Sequence, residues 1–205
     1  IIIFLFTVYY FLIGVNGLWR KKEKKILTPQ KTFAVIVAAH NESAVIGQLV
    51  DNLKMLDYPK ELYDIFVIAD NCTDNTAQIA RDCGAIVHER FNDKERGKGF
   101  AMEWMFARLF EMKRKYDAVA IFDADNLVDK RFLLEMNNRL CKGDKLVQGY
   151  LDAKNPYDTW VSGTFAIAFW VIDHIWHLAK TNIGLSSVLG GTGMCITTDV
   201  LKKHG

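Results

Sequence analysis

The first 19 positions of this 205-residue chain hold no charged residue, and the net positive charge that follows them is confined to one short run. Of 26 basic and 24 acidic side chains, five and one fall in Arg20-Lys21-Lys22-Glu23-Lys24-Lys25, leaving 21 and 23 over the other 180 residues. A mildly acidic remainder lacks the basic face that phosphate-backbone binding needs, so no nucleic-acid partner is expected. Cysteine is sparse. Cys72, Cys83, Cys141 and Cys195 show no C-x-x-C spacing, which argues against a zinc site or a compact disulfide framework. Reduced thiols suit a cytoplasmic domain. The G-x-x-x-x-G-K-[ST] loop is missing, as is a G-x-G-x-x-G after the first strand, which counts against P-loop and dinucleotide-binding folds. No internal repeat or low-complexity tract is present. With 50% hydrophobic and 24% charged residues, the chain is not a disordered one.

What the sequence does have is an apolar beginning. Fifteen of residues 1–19 are apolar, and a helix of that length spans roughly 28 Å, close to the hydrocarbon thickness of a bilayer. A secretory signal would carry its charges before the apolar run, whereas here they follow it. Trp19 beside Arg20-Lys21-Lys22 resembles an interfacial anchor, and the positive-inside rule then places the rest of the chain in the cytoplasm. The expectation is a transmembrane helix over 1–19, a basic juxtamembrane linker over 20–32 and a globular domain over 33–205. Opening on isoleucine, the chain reads as part of a longer protein.

Beyond Thr28-Pro29-Gln30-Lys31, apolar strands alternate with helical segments. Strands are predicted at 33–39, 63–69, 85–88 and 118–122, with an extended piece at 145–148. Helices are predicted from a Ser43 cap to about Met55, then at 73–83, 98–115 and 130–141. The segment 157–180 is aromatic-rich and of helical length. This alternation implies an α/β fold with a mainly parallel sheet flanked by helices. In such sheets ligands bind beyond the carboxyl ends of the strands. His40-Asn41-Glu42, Asp70-Asn71 and Asp123-Ala124-Asp125 all fall at such ends. Each alone reads as a cap or turn; their shared placement is the informative part.

Asp123 and Asp125 flank one small residue after a strand. Crowded carboxylates repel unless a cation neutralises them, and Mg2+ or Mn2+ bridging a diphosphate does this; a solvated turn is the alternative. Arg96-Gly97-Lys98-Gly99 opens a helix, where glycine allows close approach and Lys98 favours an anion. Gly190-Gly191-Thr192-Gly193 reads as a close backbone approach or as a tight turn. His174 and His177 lie three apart with no third ligand evident, so a helix-surface pair is preferred to a metal site.

Together VIVAAHNE (35–42), VIADNCTDNT (67–76), ERGKG (95–99), FDADN (122–126) and LGGTGMCI (189–196) resemble the glycosyltransferase family 2 pattern on a GT-A fold. The resemblance implies inverting transfer of a sugar from a nucleotide diphosphate, most often UDP, to a lipid or polysaccharide acceptor at a membrane. It places Ala39, His40 and Glu42 in the nucleotide pocket, Asp70 against the base, and Lys98 on the nucleotide or its phosphates. Asp123 and Asp125 match the D-x-D that holds diphosphate and metal, Mg2+ or Mn2+. Gly190, Gly191, Thr192 and Gly193 match the acceptor-side loop. The family's general base lies in a T/E-E-D motif after that loop; the catalytic base is therefore expected beyond Gly205, and the chain is expected to bind a UDP-sugar without turnover. Two other readings stay open. One is a membrane-tethered nucleotide-sugar-binding module. The other is a sugar-phosphate nucleotidyltransferase, which would want a glycine-rich loop where Ala38-Ala39-His40-Asn41-Glu42 stands.

Overall fold

The computed structural model describes residues 1–19 and 26–204. They fall into two compact units, one of 26–149 with 190–204 and one of 1–19 with 150–189.

The first unit is an α/β layer structure. Its strands are β1 (Phe33–Ala39), β2 (Tyr63–Asp70), β3 (Ile86–Arg90), β4 (Ala118–Asp123), β5 (Leu146–Gln148) and β6 (Met194–Thr197). They form one sheet in the order β3-β2-β1-β4-β6-β5. β1 pairs in parallel with β2 and β4, and β2 in parallel with β3, whereas β6 runs antiparallel to both β4 and β5. The sheet is thus mixed, and the expectation of a mainly parallel one holds for its β3-β2-β1-β4 half. Four residues of β6 are too few to show a period, so its pairing partners decide its state.

β1 shows why a continuous apolar run becomes a central strand. Phe33, Val35 and Val37 point to one face, where they meet Ile46, Leu49, Val50 and Leu53 of α2 (Ile46–Lys54) and Leu133 of α5 (Phe132–Cys141). Ala34 and Ile36 point to the other, against Ala101, Met105 and Leu109 of α4 (Lys98–Glu111). Ala80 of α3 (Thr76–Asp82) joins the first face and Leu201 of α8 (Thr198–His204) the second. Each fully buried large side chain contributes about 1.5–3 kcal/mol of transfer free energy. The linker is tied down by a buried amide: Asn137 Oδ1 accepts the Gln30 and Lys31 N–H groups at 3.1 Å, and its Nδ2 donates to Thr28 C=O at 3.2 Å.

Ser43 does not cap α2. The helix begins at Ile46 after Val45, with Glu42 C=O accepting the N–H groups of both, while the Ser43 N–H donates to Asp74. α2 has no side-chain cap, and Ser43 is held instead by Asp74 across the loop.

The second unit is helical: α1 (Ile2–Val15), a 3-10 turn (Asn16–Leu18), α6 (Trp160–Val171), a π-helical stretch (Ile172–Leu178) and α7 (Ala179–Asn182). Glycine permits the contact between its two halves. A Cβ on Gly17 would lie 1.9 Å from the His174 carbonyl oxygen, and one on Gly14 2.9 Å from Ile175 Cγ2. Asn182 Nδ2 donates to Asn16 C=O at 2.8 Å and to Trp19 C=O at 2.7 Å. The expected transmembrane helix over 1–19 is corrected here. α1 has 14 residues, roughly 21 Å of helix, before the turn at Asn16 ends it. Among the described residues no helix is long and apolar enough to cross a membrane. Of the expected basic linker, Arg20 to Lys25 lie outside the described residues.

His174 and His177 do not act as a pair. His177 Nδ1 lies 3.2 Å from Asp173 Oδ1, and His174 Nδ1 lies 3.2 Å from Trp170 C=O. Asp173 is buried and accepts the Leu151 N–H at 3.0 Å, and burial pushes its carboxyl pKa up.

Candidate functional site

The register of the parallel strands brings their carboxyl ends level: Ala39 faces Ala69, and Ala38 faces Asp123. The chain must leave each strand abruptly, and the two residues that turn it are asparagines. Asn41 and Asn71 are the only non-glycine residues with positive φ among those described, at 56° and 51°. Asparagine tolerates this left-handed region best among side chains with a Cβ. Each also braces a neighbouring loop. Asn41 Oδ1 accepts the Thr73 N–H at 2.8 Å, and Asn71 exchanges two bonds with the Asn92 backbone at 2.8 and 3.2 Å.

His40 is exposed, and its Nδ1 sits 2.8 Å from the Asp70 carbonyl oxygen. A carbonyl accepts only, so Nδ1 is the donor in this contact. The Glu42 N–H donates to Thr76 Oγ1 at 2.8 Å. Asp74 holds this corner: hydrogen bonds from Thr76, then from Ser43, lower its carboxyl pKa to about 2. Ala39 is buried at the end of β1.

Asp70 is buried too, in an ion pair with Arg90 Nη1 at 2.7 Å. Arg90 Nη2 also donates to Glu95 C=O at 2.7 Å, which ties β3 to the loop before α4. Removing either partner strands a buried charge, at a cost of about 3–5 kcal/mol. Sequence reasoning missed Arg90. It lies beyond the predicted 85–88 strand, and only the β2–β3 register sets it level with Asp70.

The third strand end gathers most of the remaining candidates. The Asp123 N–H is shared between Thr192 Oγ1 at 3.0 Å and Asn126 Oδ1 at 3.1 Å, and Thr192 Oγ1 also donates to Asn126 Oδ1. The Asp123 carboxylate receives the Lys98 ammonium, which also donates to Gly191 C=O at 2.7 Å. Gln148, another residue the sequence did not single out, clamps the glycine loop: it accepts the Gly190 N–H at 2.7 Å and donates to Thr192 C=O at 2.9 Å. Gly191 and Gly193 take φ of 82° and 59°. A Cβ on Gly191 would meet nothing within 4 Å, so it is the positive φ of a turn, and not close packing, that calls for glycine there. Asp125 is exposed, its carboxylate 3.3 Å from Asn126 Nδ2.

Among the described residues no three His, Cys, Asp or Glu side chains converge as a metal cage. Asp123 and Asp125 still offer hard oxygen donors, and Asp123 already draws a cation in the form of Lys98. Such a pair fits a small divalent ion that takes its other ligands from diphosphate and water.

The mixed sheet flanked by helices, with its acidic strand ends, defines an α/β protein of the GT-A type. The chain belongs to the glycosyltransferase-like family 2, whose model matches residues 29–205. Over 195 residues it is 32% identical to the beta-monoglucosyldiacylglycerol synthase of Nostoc sp., an alignment covering 91% of this chain and 40% of that protein. It is 34% identical over 113 residues to the low-salt glycan biosynthesis hexosyltransferase Agl6 of Haloferax volcanii, covering 55% and 25%. The chain thus spans about two fifths or less of these relatives' length. Among solved structures it resembles the mannosyltransferase PcManGT of Pyrobaculum calidifontis, in complex with GDP-Man and Mn2+, with TM-score 0.68, 19% identity and coverage of 97% and 54%. Glucosyl-3-phosphoglycerate synthase of Mycobacterium tuberculosis with UDP matches at TM-score 0.56, 19% identity, 89% and 64%. At these identities the structures establish the fold.

Proposed function

We propose that this chain carries the donor-binding part of a hexosyltransferase, which moves a sugar from a nucleotide diphosphate, UDP by preference, to a lipid or glycan acceptor. The observation that carries the reading is the convergence of Lys98, Asp123, Gly191 and Thr192 at one strand end. Four residues from three distant parts of the sequence meet where an α/β sheet binds its ligands. Asp70, held by Arg90, and His40 line the base side, next to Ala39 and Glu42. Lys98 meets the diphosphate. Asp123 and Asp125 hold Mg2+ or Mn2+, which when bound offsets the charge that develops on the departing diphosphate. The glycine loop faces the acceptor, where Gln148 fixes its backbone. A glycine-rich loop after β1, which a nucleotidyltransferase would want, is not found: that place is taken by the Asn41 turn.

The surface chemistry of the helical unit favours a lipid acceptor. In the helical unit Phe4, Phe6, Phe11, Trp160, Phe165 and Trp170 are all more than half exposed. Apolar surface on this scale marks a binding face, and a bilayer surface suits its aromatic content. A relative named as a glycolipid synthase agrees with that choice.

Calorimetry with UDP and UDP-sugars, with and without Mn2+, tests the donor reading. We expect Mn2+-dependent UDP binding that Asp125→Ala weakens about tenfold or more, in keeping with the loss of one ligand of a metal-bridged diphosphate. If UDP affinity ignores both Mn2+ and Asp125, the site assignment is wrong.

A further inference from the structure

Lys98 makes two contacts that serve different ends of the site. Its ammonium pairs with the Asp123 carboxylate, and it donates to Gly191 C=O at 2.7 Å. The other pins of the glycine loop are indifferent to charge at Asp123. Thr192 Oγ1 accepts the Asp123 backbone N–H, and Gln148 accepts the Gly190 N–H and donates to Thr192 C=O. Gly191 C=O is therefore the point of the loop whose hold depends on what the Asp123 carboxylate is paired with.

We propose that Lys98 is a displaceable internal cation: it occupies the Asp123 carboxylate when no donor is bound, and its departure to the diphosphate releases the Gly191 carbonyl. The inference rests on the donor-site reading above and deepens it by naming how the donor side and the acceptor loop are coupled. The ion pair is suited to exchange. Lys98 and Asp123 keep 35% and 43% of their side-chain surface exposed, so solvent screens the pair and its net strength is small. A divalent ion at Asp123 repels the ammonium, so ion and lysine exclude each other there. A diphosphate changes that balance, because its oxygens bind the metal and give Lys98 a new anionic partner. Metal alone then binds weakly, metal with nucleotide binds well, and the loop is freed in the second case.

The sign of one measurement separates this from a lysine that only holds phosphate. Mn2+ binding, read from the free-ion electron paramagnetic resonance signal without nucleotide, is compared between wild type and Lys98→Met. Removing the internal competitor should tighten Mn2+ about three- to fivefold, the scale of a half-exposed ion pair. Lys98→Arg keeps the cation and should return the affinity toward wild type. Hydrogen exchange supplies the second readout: the Gly191 and Thr192 amides should exchange faster when Mn2+ and UDP are added to wild type. In Lys98→Met they should exchange fast without ligand. A melting temperature within a degree or two of wild type establishes that the variant is folded. Unchanged or weaker Mn2+ binding in folded Lys98→Met overturns the proposal, as does a loop whose exchange ignores both ligand and substitution. UDP titration of wild type keeps the two failures apart. If UDP binds but Lys98→Met leaves Mn2+ affinity unmoved, the displacement idea alone falls. If UDP does not bind at all, the donor reading falls with it.

Discussion

Two runs of the chain are equally apolar and meet opposite fates. Phe33 to Val37 in β1 is fully buried between two helical layers, whereas Ile2, Ile3, Phe4, Leu5, Phe6, Phe11 and Leu12 in α1 are 57% to 82% exposed. A strand puts successive side chains on opposite faces and lets α2 and α5 cover one, α4 the other. A 14-residue helix apolar on all sides is covered in its unit on one side only, by the π-helical stretch and α7, which it meets at Tyr10 and Gly14. In the α/β unit apolar residues supply stability. In the helical unit most of them supply a surface. Composition does not tell these roles apart; the number of covering layers does.

The comparison breaks most sharply at one aromatic ring in each unit. Phe66, 1% exposed beneath α4, should cost about 3–5 kcal/mol on substitution by alanine, enough to unfold much of the α/β unit near its melting range. Phe4 or Phe11 replaced by serine should move stability by about 0.5 kcal/mol, because each residue stays about two thirds exposed in the fold. The serine variants should instead lose binding to phosphatidylglycerol-containing vesicles in co-sedimentation. If Phe11→Ser destabilises as strongly as Phe66→Ala, the helical unit has a core of its own and its outer surface is not a docking face.

How much of this was legible beforehand follows the same division. β1 matches its predicted bounds, and β2 and β4 each run one residue further, to Asp70 and Asp123. Those added residues are the acids themselves, so the site begins inside the strands. The apolar run at 1–19 was legible as apolar, but its end was not: the helix ends at Asn16 and Gly17, where the chain packs against His174 and Asn182 from far along the sequence. Lys98, Asp123 and the glycine loop could be named singly, because each residue type carries its own chemistry. Arg90, Asn126 and Gln148 could not, since their roles lie in partners that only the sheet order brings near. Gln148 faces the glycine loop because β6 runs antiparallel to β5, a pairing that no local pattern announces.

The helical unit can be sharpened by attacking its tightest glycine contact. Gly17→Ala places a Cβ 1.9 Å from the His174 carbonyl, a backbone atom that a rotamer change does not relieve. The halves must separate, and the Asn182 bonds to Asn16 and Trp19 should go with them. Overpacking of this kind costs about 1–3 kcal/mol. Hydrogen exchange should rise across residues 10–18 and 172–182 while the strands β1 to β4 keep their protection. Exchange that rises equally in the strands would mean that the two units fold as one.

The smallest expected effect lies at the corner beneath His40, and it distinguishes the units by pH. The Asp74 carboxylate is held down to about pKa 2 by its bonds from Thr76 and Ser43. An acid depressed in the folded state supports folding fully above its unfolded pKa of about 3.9, and that support fades as pH falls toward 2. Asp74 is solvent-exposed, so the effect is a modest acid sensitivity of the α/β unit and not a collapse. Near pH 7 Asp74→Ala should melt below wild type, because the Thr76 and Ser43 N–H groups lose their acceptor. As pH is lowered from 5 to 2 the gap should close, since protonated Asp74 no longer holds them as a carboxylate does. A gap that stays constant across that range would show that Asp74 acts through its shape and not its charge.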